Sequence, residues 1–421
     1  MASTMSFKHL PTHPDPSRTD LLPSATGGQV EEEWGRSALP TSVDAVSGAP
    51  DNTVAAEPRP AKGNRLAPLS LRPGDESHPA SYVLVLLLTA VLLVGAVAGF
   101  NAYVDPYGTV GTGALPPVTW TDRSLKVNLI EHLPNAPGVV VLGSSRAMKV
   151  QPSFITRRTG LPAFNAAVSS GKPVDAWTFV NFIHARFPAP HSRYLWLLDI
   201  EAFRQWPVDP GLLNTPQLAA FLSVGTTITS RLGQLPLLFS WQTFWKSLQS
   251  IGHSARQPAA ALRTSIGGTQ FAADGFRVLD YHDRNLANGL GLTKELPATI
   301  RQGVATYRGG YSRLDPTAEG YFQRTLSFMN RLGATPVIVL TPMQPEMLAR
   351  VAPLGYDARY HDVLTYLRSL QVRYRFKLLD FTHLVSFGGR AADFYDGYHM
   401  TVANTQRLVN AVLSQAPGAL R

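Results

Sequence analysis

A chain of 421 residues with 44% hydrophobic content is long enough to bury a large core, and its formal charge of +9 comes from Lys and Arg scattered without any recognised nucleic-acid motif. Nucleic acid is therefore not an expected partner, whereas an anionic membrane or cell-envelope polymer suits that charge. The absence of cysteine excludes disulfides, thiol nucleophiles and cysteine zinc sites, and leaves the redox compartment open.

Residues 1–79 are rich in Pro, Ser, Gly, Asp and Glu, with a Glu run at 31–33 and few aromatics, so they bury too little apolar surface to fold alone. They read as a disordered cytoplasmic tail. From Ala80 to Phe100 no side chain is charged, and at about 1.5 Å per residue the stretch reaches roughly 30 Å, the thickness of a bilayer core. Helices of soluble cores rarely stay apolar on every face for so long. Ala96 and Ala98 would suit a signal-peptide cleavage site, but the apolar run is too long for one and starts too far into the chain. A single transmembrane helix over 80–100 is the expectation. Arg59, Lys62, Arg65 and Arg72 precede it and no Lys or Arg lies between Asn101 and Trp120, which puts the N-terminus in the cytoplasm and the C-terminal domain outside it, extracellular or periplasmic.

Residues 101–119 form a Pro-rich connector, with Tyr103 and Tyr107 expected at headgroup level. The domain at 120–421 contains short apolar runs at 138–143, 163–168, 194–200, 335–341 and 376–381. Their hydrophobicity is continuous, not alternating, which predicts strands covered on both faces. Helix-like segments fall between them, clearest at Asp175–Arg186, Thr317–Leu332, Tyr360–Tyr374 and Thr401–Leu413. The alternation predicts an α/β domain with a parallel sheet and helices on both sides. From about 206 to 311 it is interrupted by a segment rich in aromatics, Gly and Pro; a mainly helical insertion over the active face is expected, with Trp241 and Trp245 serving as a lid.

In an open parallel sheet, ligands bind beyond the carboxyl ends of the strands. The first strand runs into Gly143, Ser144, Ser145 and Arg146, where a tight turn would put a hydroxyl at a helix N-terminus. An ordinary Ser N-cap would leave the same trace. Near the C-terminus stand Asp396, Gly397, Tyr398 and His399, just before an amphipathic helix. A serine needs a base, and the base a carboxylate that fixes its tautomer, so this pair supplies what Ser145 lacks. Alone, an Asp and a His three residues apart are as readily explained by surface polarity.

Together the two motifs resemble the SGNH, or GDSL-like, hydrolases over about 120–415, and in particular divergent membrane-anchored members of the cell envelope, similar to alginate O-acetylation and D-alanyl-transfer accessory proteins. That resemblance implies a three-layer, flavodoxin-like sandwich. It makes Ser145 the nucleophile, His399 the base and Asp396 its orienting carboxylate, with Ser144 where the family usually has Asp. It places Gly171, in the 164–171 stretch, beside the Ser145 N–H in the oxyanion hole. Where the family has an Asn donor after the next strand, this chain has Asp199 and then Glu201, and an ionised carboxylate cannot donate a hydrogen bond.

Arg146, Asn165 and Asp199 are the candidate substrate-binding residues. The Arg146 guanidinium either grips an anionic substrate or braces a loop carboxylate. His282 and His383 lack partners at ligand spacing and read as surface or satisfied histidines, so no metal and no cofactor is expected. The expected activity is that of a membrane-anchored serine esterase or O-acyltransferase acting on an envelope glycan or glycolipid. The alternative is a catalytically weak scaffold that binds glycan or a membrane-bound acyltransferase.

Overall fold

The computed structural model describes residues 79–107, 110, 115, 121–189, 192–205, 207–223, 225, 228, 232, 235–254, 262–266 and 268–421. The expected cytoplasmic tail lies outside the described residues, as does most of the connector.

The first element is the helix α1, Pro79–Val104, the one described helix long and apolar enough to cross a membrane. Its side chains are exposed from Tyr82 to Val94, whereas Asn101 and Val104 are buried. It stops where Asp105 turns to φ 47° and Pro106 follows, which removes the next amide donor.

Five strands form the central sheet: β1 Val139–Leu142, β2 Ala163–Asn165, β3 Arg193–Leu198, β7 Val337–Leu340 and β8 Lys377–Asp380. All neighbours are parallel, in the order β2-β1-β3-β7-β8. Every residue of β1 and β7, and all but the first of β3, is buried, so side chains pointing to either face are covered. That explains the unbroken apolar runs: a strand with one wet face would alternate. All five expected strands are present, each within a few residues of its predicted bounds.

The remaining helices are α2 Asp122–Glu131, α3 Pro152–Thr159, α4 Pro173–Arg186, α5 Trp241–Ser254, α6 Tyr281–Ala287, α7 Leu292–Tyr307, α8 Pro316–Arg331, α9 Pro345–Val351, α10 Tyr356–Leu370 and α11 Val402–Gln415, with one-turn helices at Pro210–Leu213, Pro216–Ala219 and Leu235–Leu238. Trp177 on α4 meets Phe328 on α8 edge-on at 5.9 Å. Arg123 on α2 is buried and holds Asp175 on α4 at 2.7 Å and Asp209 at 3.3 Å, which ties the start of the insertion to the core.

The insertion departs from the mainly helical expectation. It also carries an antiparallel sheet, β4 Ser265–Ile266, β5 Thr269–Phe271 and β6 Arg277–Leu279. The turn between β5 and β6 contains Asp274 and Gly275, with Gly275 at φ 80° and the Phe276 N–H bonded to the Asp274 carboxylate. A Cβ on Gly275 would strike the Asn165 carbonyl, so glycine is also required for the hairpin to dock against the end of β2.

Because β1 lies between β2 and β3, the chain leaves it to one side and returns on the other. A crevice opens at such a reversal beyond the strand ends. Ser145 follows β1 and Asp199 follows β3, so both lie at this edge.

Candidate active site

The loop after β1 resolves the ambiguity of its two serines. Gly143 takes φ 147°, and a Cβ there would run into the Leu197 carbonyl on β3. Ser144 is the cap: its buried Oγ accepts the Arg146 N–H at 3.2 Å, and its carbonyl accepts the Ala147 N–H at 2.9 Å. Ser145 opens the 3-10 turn Ser145–Ala147 and is itself partly exposed.

That hydroxyl lies 2.8 Å from His399 Nε2. His399 Nδ1 is 2.7 Å from Asp396 Oδ2, while Asp396 Oδ1 accepts the N–H groups of Tyr398 and His399, both at 2.7 Å. One carboxylate thus caps its own turn and orients the imidazole. The turn is closed by the Phe394–Met400 bridge and by the Tyr395 N–H donating to the His399 carbonyl at 2.8 Å. Gly397 fits because its N–H meets Thr299 Oγ1 at 3.0 Å, with Met347 against the same point. Asp396 is buried, whereas Ser145 and His399 are partly exposed. Burial raises a carboxyl's pKa, but the imidazole of His399 outweighs it and holds Asp396 well below the usual carboxylate value. With Asp396 ionised, His399 carries its proton on Nδ1 and offers the Nε2 lone pair to the Ser145 O–H.

The other predicted residues have different tasks. Asn165 is wholly buried: its Nδ2 donates to the carbonyls of Ala147 and Val150, both at 2.9 Å, and its Oδ1 accepts the Ala167 N–H at 3.0 Å. It does not reach substrate; it holds the turn that carries Ser145. The Gly171 N–H is engaged with the Val168 carbonyl at 3.0 Å, and a Cβ at 171 would strike the Gly143 carbonyl. Gly171 therefore permits close packing against the Ser145 loop, and its N–H is not free for an oxyanion hole.

Asp199 accepts the Thr341 hydroxyl at 2.6 Å and faces Arg146 Nε at 3.6 Å, so it is neither a donor nor free for substrate. Arg146 is buried, pairs with Glu201 at 2.9 Å and lies 4.5 Å from the centre of the Tyr398 ring. Burial works against its charge, yet Asp199 and Glu201 more than compensate and raise its pKa further. Of the two readings of Arg146, the brace between loops is the one the contacts describe.

His282 is a satisfied histidine, one of the two readings expected of it, with partners that come from other elements. It is buried on α6, its Nδ1 is 2.9 Å from Glu295 Oε2 on α7, its Nε2 is 3.8 Å from Asp396 Oδ2, and its ring centre is 4.8 Å from that of His399. Burial first, and then His399, push it down to about 4 against the pull of Asp396 and Glu295. A neutral His282 with its proton on Nδ1 donates to Glu295, and at 3.8 Å it makes no hydrogen bond to Asp396. Asp283, one residue on, binds buried Lys149 and accepts the Tyr395 hydroxyl at 2.7 Å, which locks α6 to the segments that carry Ser145 and His399. The sequence signal for this helix was the capping pair Asp280 and Asp283. His383, by contrast, is exposed, as expected.

His282, Asp396 and His399 offer three ligand atoms within 4.8 Å of one another. Two of the three already belong to the serine's hydrogen-bond chain, and binding a metal there would take His399 away from Ser145. Trp241 and Trp245, expected as a lid, pack instead through Phe244 onto Phe100 of α1. It is the later part of the insertion, α6 and α7, that lies over the triad.

No protein-family model matches the chain, and no curated protein matches it.

Proposed function

We propose that the chain is an SGNH-like serine acyl enzyme, its parallel sheet forming the centre of a three-layer sandwich held at the outer face of a membrane by α1. The observation that carries this reading is the unbroken chain Ser145 Oγ to His399 Nε2, and His399 Nδ1 to Asp396, at 2.8 and 2.7 Å. In a merely polar surface cluster the terminal hydroxyl need not be partly exposed while the terminal carboxylate is buried; in a nucleophile it must be.

The chemistry follows. Ser145 Oγ attacks an ester carbonyl as His399 takes its proton; the tetrahedral intermediate collapses, the ester C–O bond breaks and His399 returns the proton to the departing oxygen. The developing oxyanion is met by the Ser145 N–H at the start of the 3-10 turn, since the N–H groups of Arg146 and Ala147 are already engaged with Ser144. His399 then takes the proton of the acceptor, either water or a sugar hydroxyl of an envelope glycan or glycolipid; the acceptor oxygen attacks the acyl carbonyl, the bond from the acyl group to Ser145 Oγ breaks, and His399 returns the proton to Oγ. A tether beginning about 45 residues before Ser145 favours acceptors assembled at the membrane over freely diffusing esters.

The test is acyl release and acyl transfer from an activated acetyl ester by the full chain and by Ser145→Ala. A fall of about three orders of magnitude or more is expected. Equal rates in the two proteins would end this mechanism and favour the binding scaffold, to which the lack of a side-chain amide donor at Asp199 also points.

A further inference from the structure

Helix α5 is built inside out. An amphipathic helix of a water-soluble domain turns its apolar stripe to the core. Here Thr243, Ser247 and Ser250, spaced i, i+4, i+7, are the buried side chains, while Trp241, Trp245 and Leu248, with the same spacing on the opposite side, face outward. Trp241 is 62% and Trp245 52% exposed, and Phe239 and Ile251 extend the patch at either end.

The small-residue face packs on α1, and polar contacts set the level. Asn101 is the first polar side chain beyond the apolar run and is fully buried; its Nδ2 donates to the Leu238 carbonyl at 2.7 Å and its Oδ1 accepts the Ser247 hydroxyl at 2.9 Å. One residue back, Phe100 meets Phe244 at 5.4 Å. The Tyr107 hydroxyl bonds to Thr243. The insertion therefore clasps α1 where about 30 Å of apolar helix, from Ser81 to Phe100, comes to an end.

We infer that the outward face of α5 rests in the headgroup–acyl boundary of the bilayer that α1 crosses, so that the domain is held by a crossing helix and a surface helix together. This rests on reading α1 as a membrane span. The occupant is argued by continuity: the exposed apolar surface of α1 from Tyr82 to Val94 is followed on the same helix by Phe100, which meets Phe244 beside Trp241 and Trp245, and Trp side chains are favoured at that depth. Lys246 lies on the polar flank of α5, where a cation meets anionic headgroups. With two attachments the domain keeps one orientation, and Ser145 keeps a constant relation to the membrane.

The absence of cysteine makes the test clean. In the full chain, Leu248→Cys, Leu87→Cys and Val385→Cys would each carry a fluorophore and be reconstituted into phosphatidylethanolamine–phosphatidylglycerol vesicles. Leu87 is on α1, and Val385 is 89% exposed beyond β8. The expected result is that lipid-borne nitroxide quenches the labels at 87 and 248, aqueous iodide quenches neither, and the label at 385 behaves in the opposite way. If 87 is lipid-quenched but 248 is iodide-quenched, α1 spans and the surface-helix proposal is overturned. If 248 is shielded from both quenchers, another protein or a second copy covers it, which also overturns the proposal. If 87 itself is iodide-quenched, the spanning helix fails and the proposal falls with it.

Discussion

Replacing Asn165 with Ala separates a residue that holds the Ser145 loop from one that touches substrate. Its amide has two hydrogens, so two of its carbonyl contacts, to Ala147 and Val150 at 2.9 Å, are made at once, and the Ala167 N–H adds a third bond at 3.0 Å. At about 1 kcal/mol net for each, with the stranded groups buried, the loss is about 3 kcal/mol. For a domain of this size that lowers the unfolding midpoint by about 5–10 °C. Thermal unfolding of the detergent-solubilised chain reads the midpoint, and ester turnover at a temperature well below it reads the site. The midpoint and kcat should both fall, because the turn that aims Ser145 loses its tie, while KM stays near its original value. An unchanged midpoint with a raised KM would refute this reasoning and return Asn165 to the substrate.

His282 is held below its ordinary value at about 4, so between there and 6.5 the unfolded chain binds more protons than the folded one. Stability should therefore fall as the pH drops through that window, and His282→Gln should flatten the fall in urea midpoints; a slope unchanged by the substitution would count against a buried neutral imidazole. Arg146→Gln leaves Asp199 and Glu201 without their cation, and breaking such a buried pair costs about 3–5 kcal/mol, so a marked fall in unfolding midpoint is expected. Full stability with weakened binding of anionic acceptors would revive the substrate role. Gly171→Ala pushes a methyl into the Gly143 carbonyl and should cost about 1–3 kcal/mol with a loss of turnover, measured as midpoint and kcat; a silent substitution would show that the loop has room to shift.

The central sheet was legible because strands buried on both faces must be apolar throughout, and Val139–Leu142 and Val337–Leu340 can hardly be read otherwise. Ser145, Asp396 and His399 were legible because each sits in a short motif whose geometry is local: a capped turn after a strand, and a carboxylate that caps its own turn. His282 was not, since Glu295 and Asp396 reach it from other elements and only tertiary packing brings the three together. Asn165 and Gly171 lie beside the Ser145 loop, but their contacts are with backbone, because a buried amide bonding to carbonyls and a glycine under a neighbouring loop leave the same trace in sequence as ligand contacts. The β5–β6 hairpin was announced by Asp274 and Gly275 and passed over amid the helical signals around it. The aromatics of α5 suggested a lid because an apolar stripe ordinarily covers something within its own domain; the small buried residues opposite, Thr243, Ser247 and Ser250, reverse that inference.

The central claim is that Ser145 is a nucleophile activated by His399, and reaction with a fluorophosphonate followed by peptide mass spectrometry addresses it most directly. The account predicts one adduct on Ser145 in the folded full-length chain, slowed by orders of magnitude in His399→Ala. An adduct on another serine, or labelling of Ser145 at the same rate without His399, would contradict it.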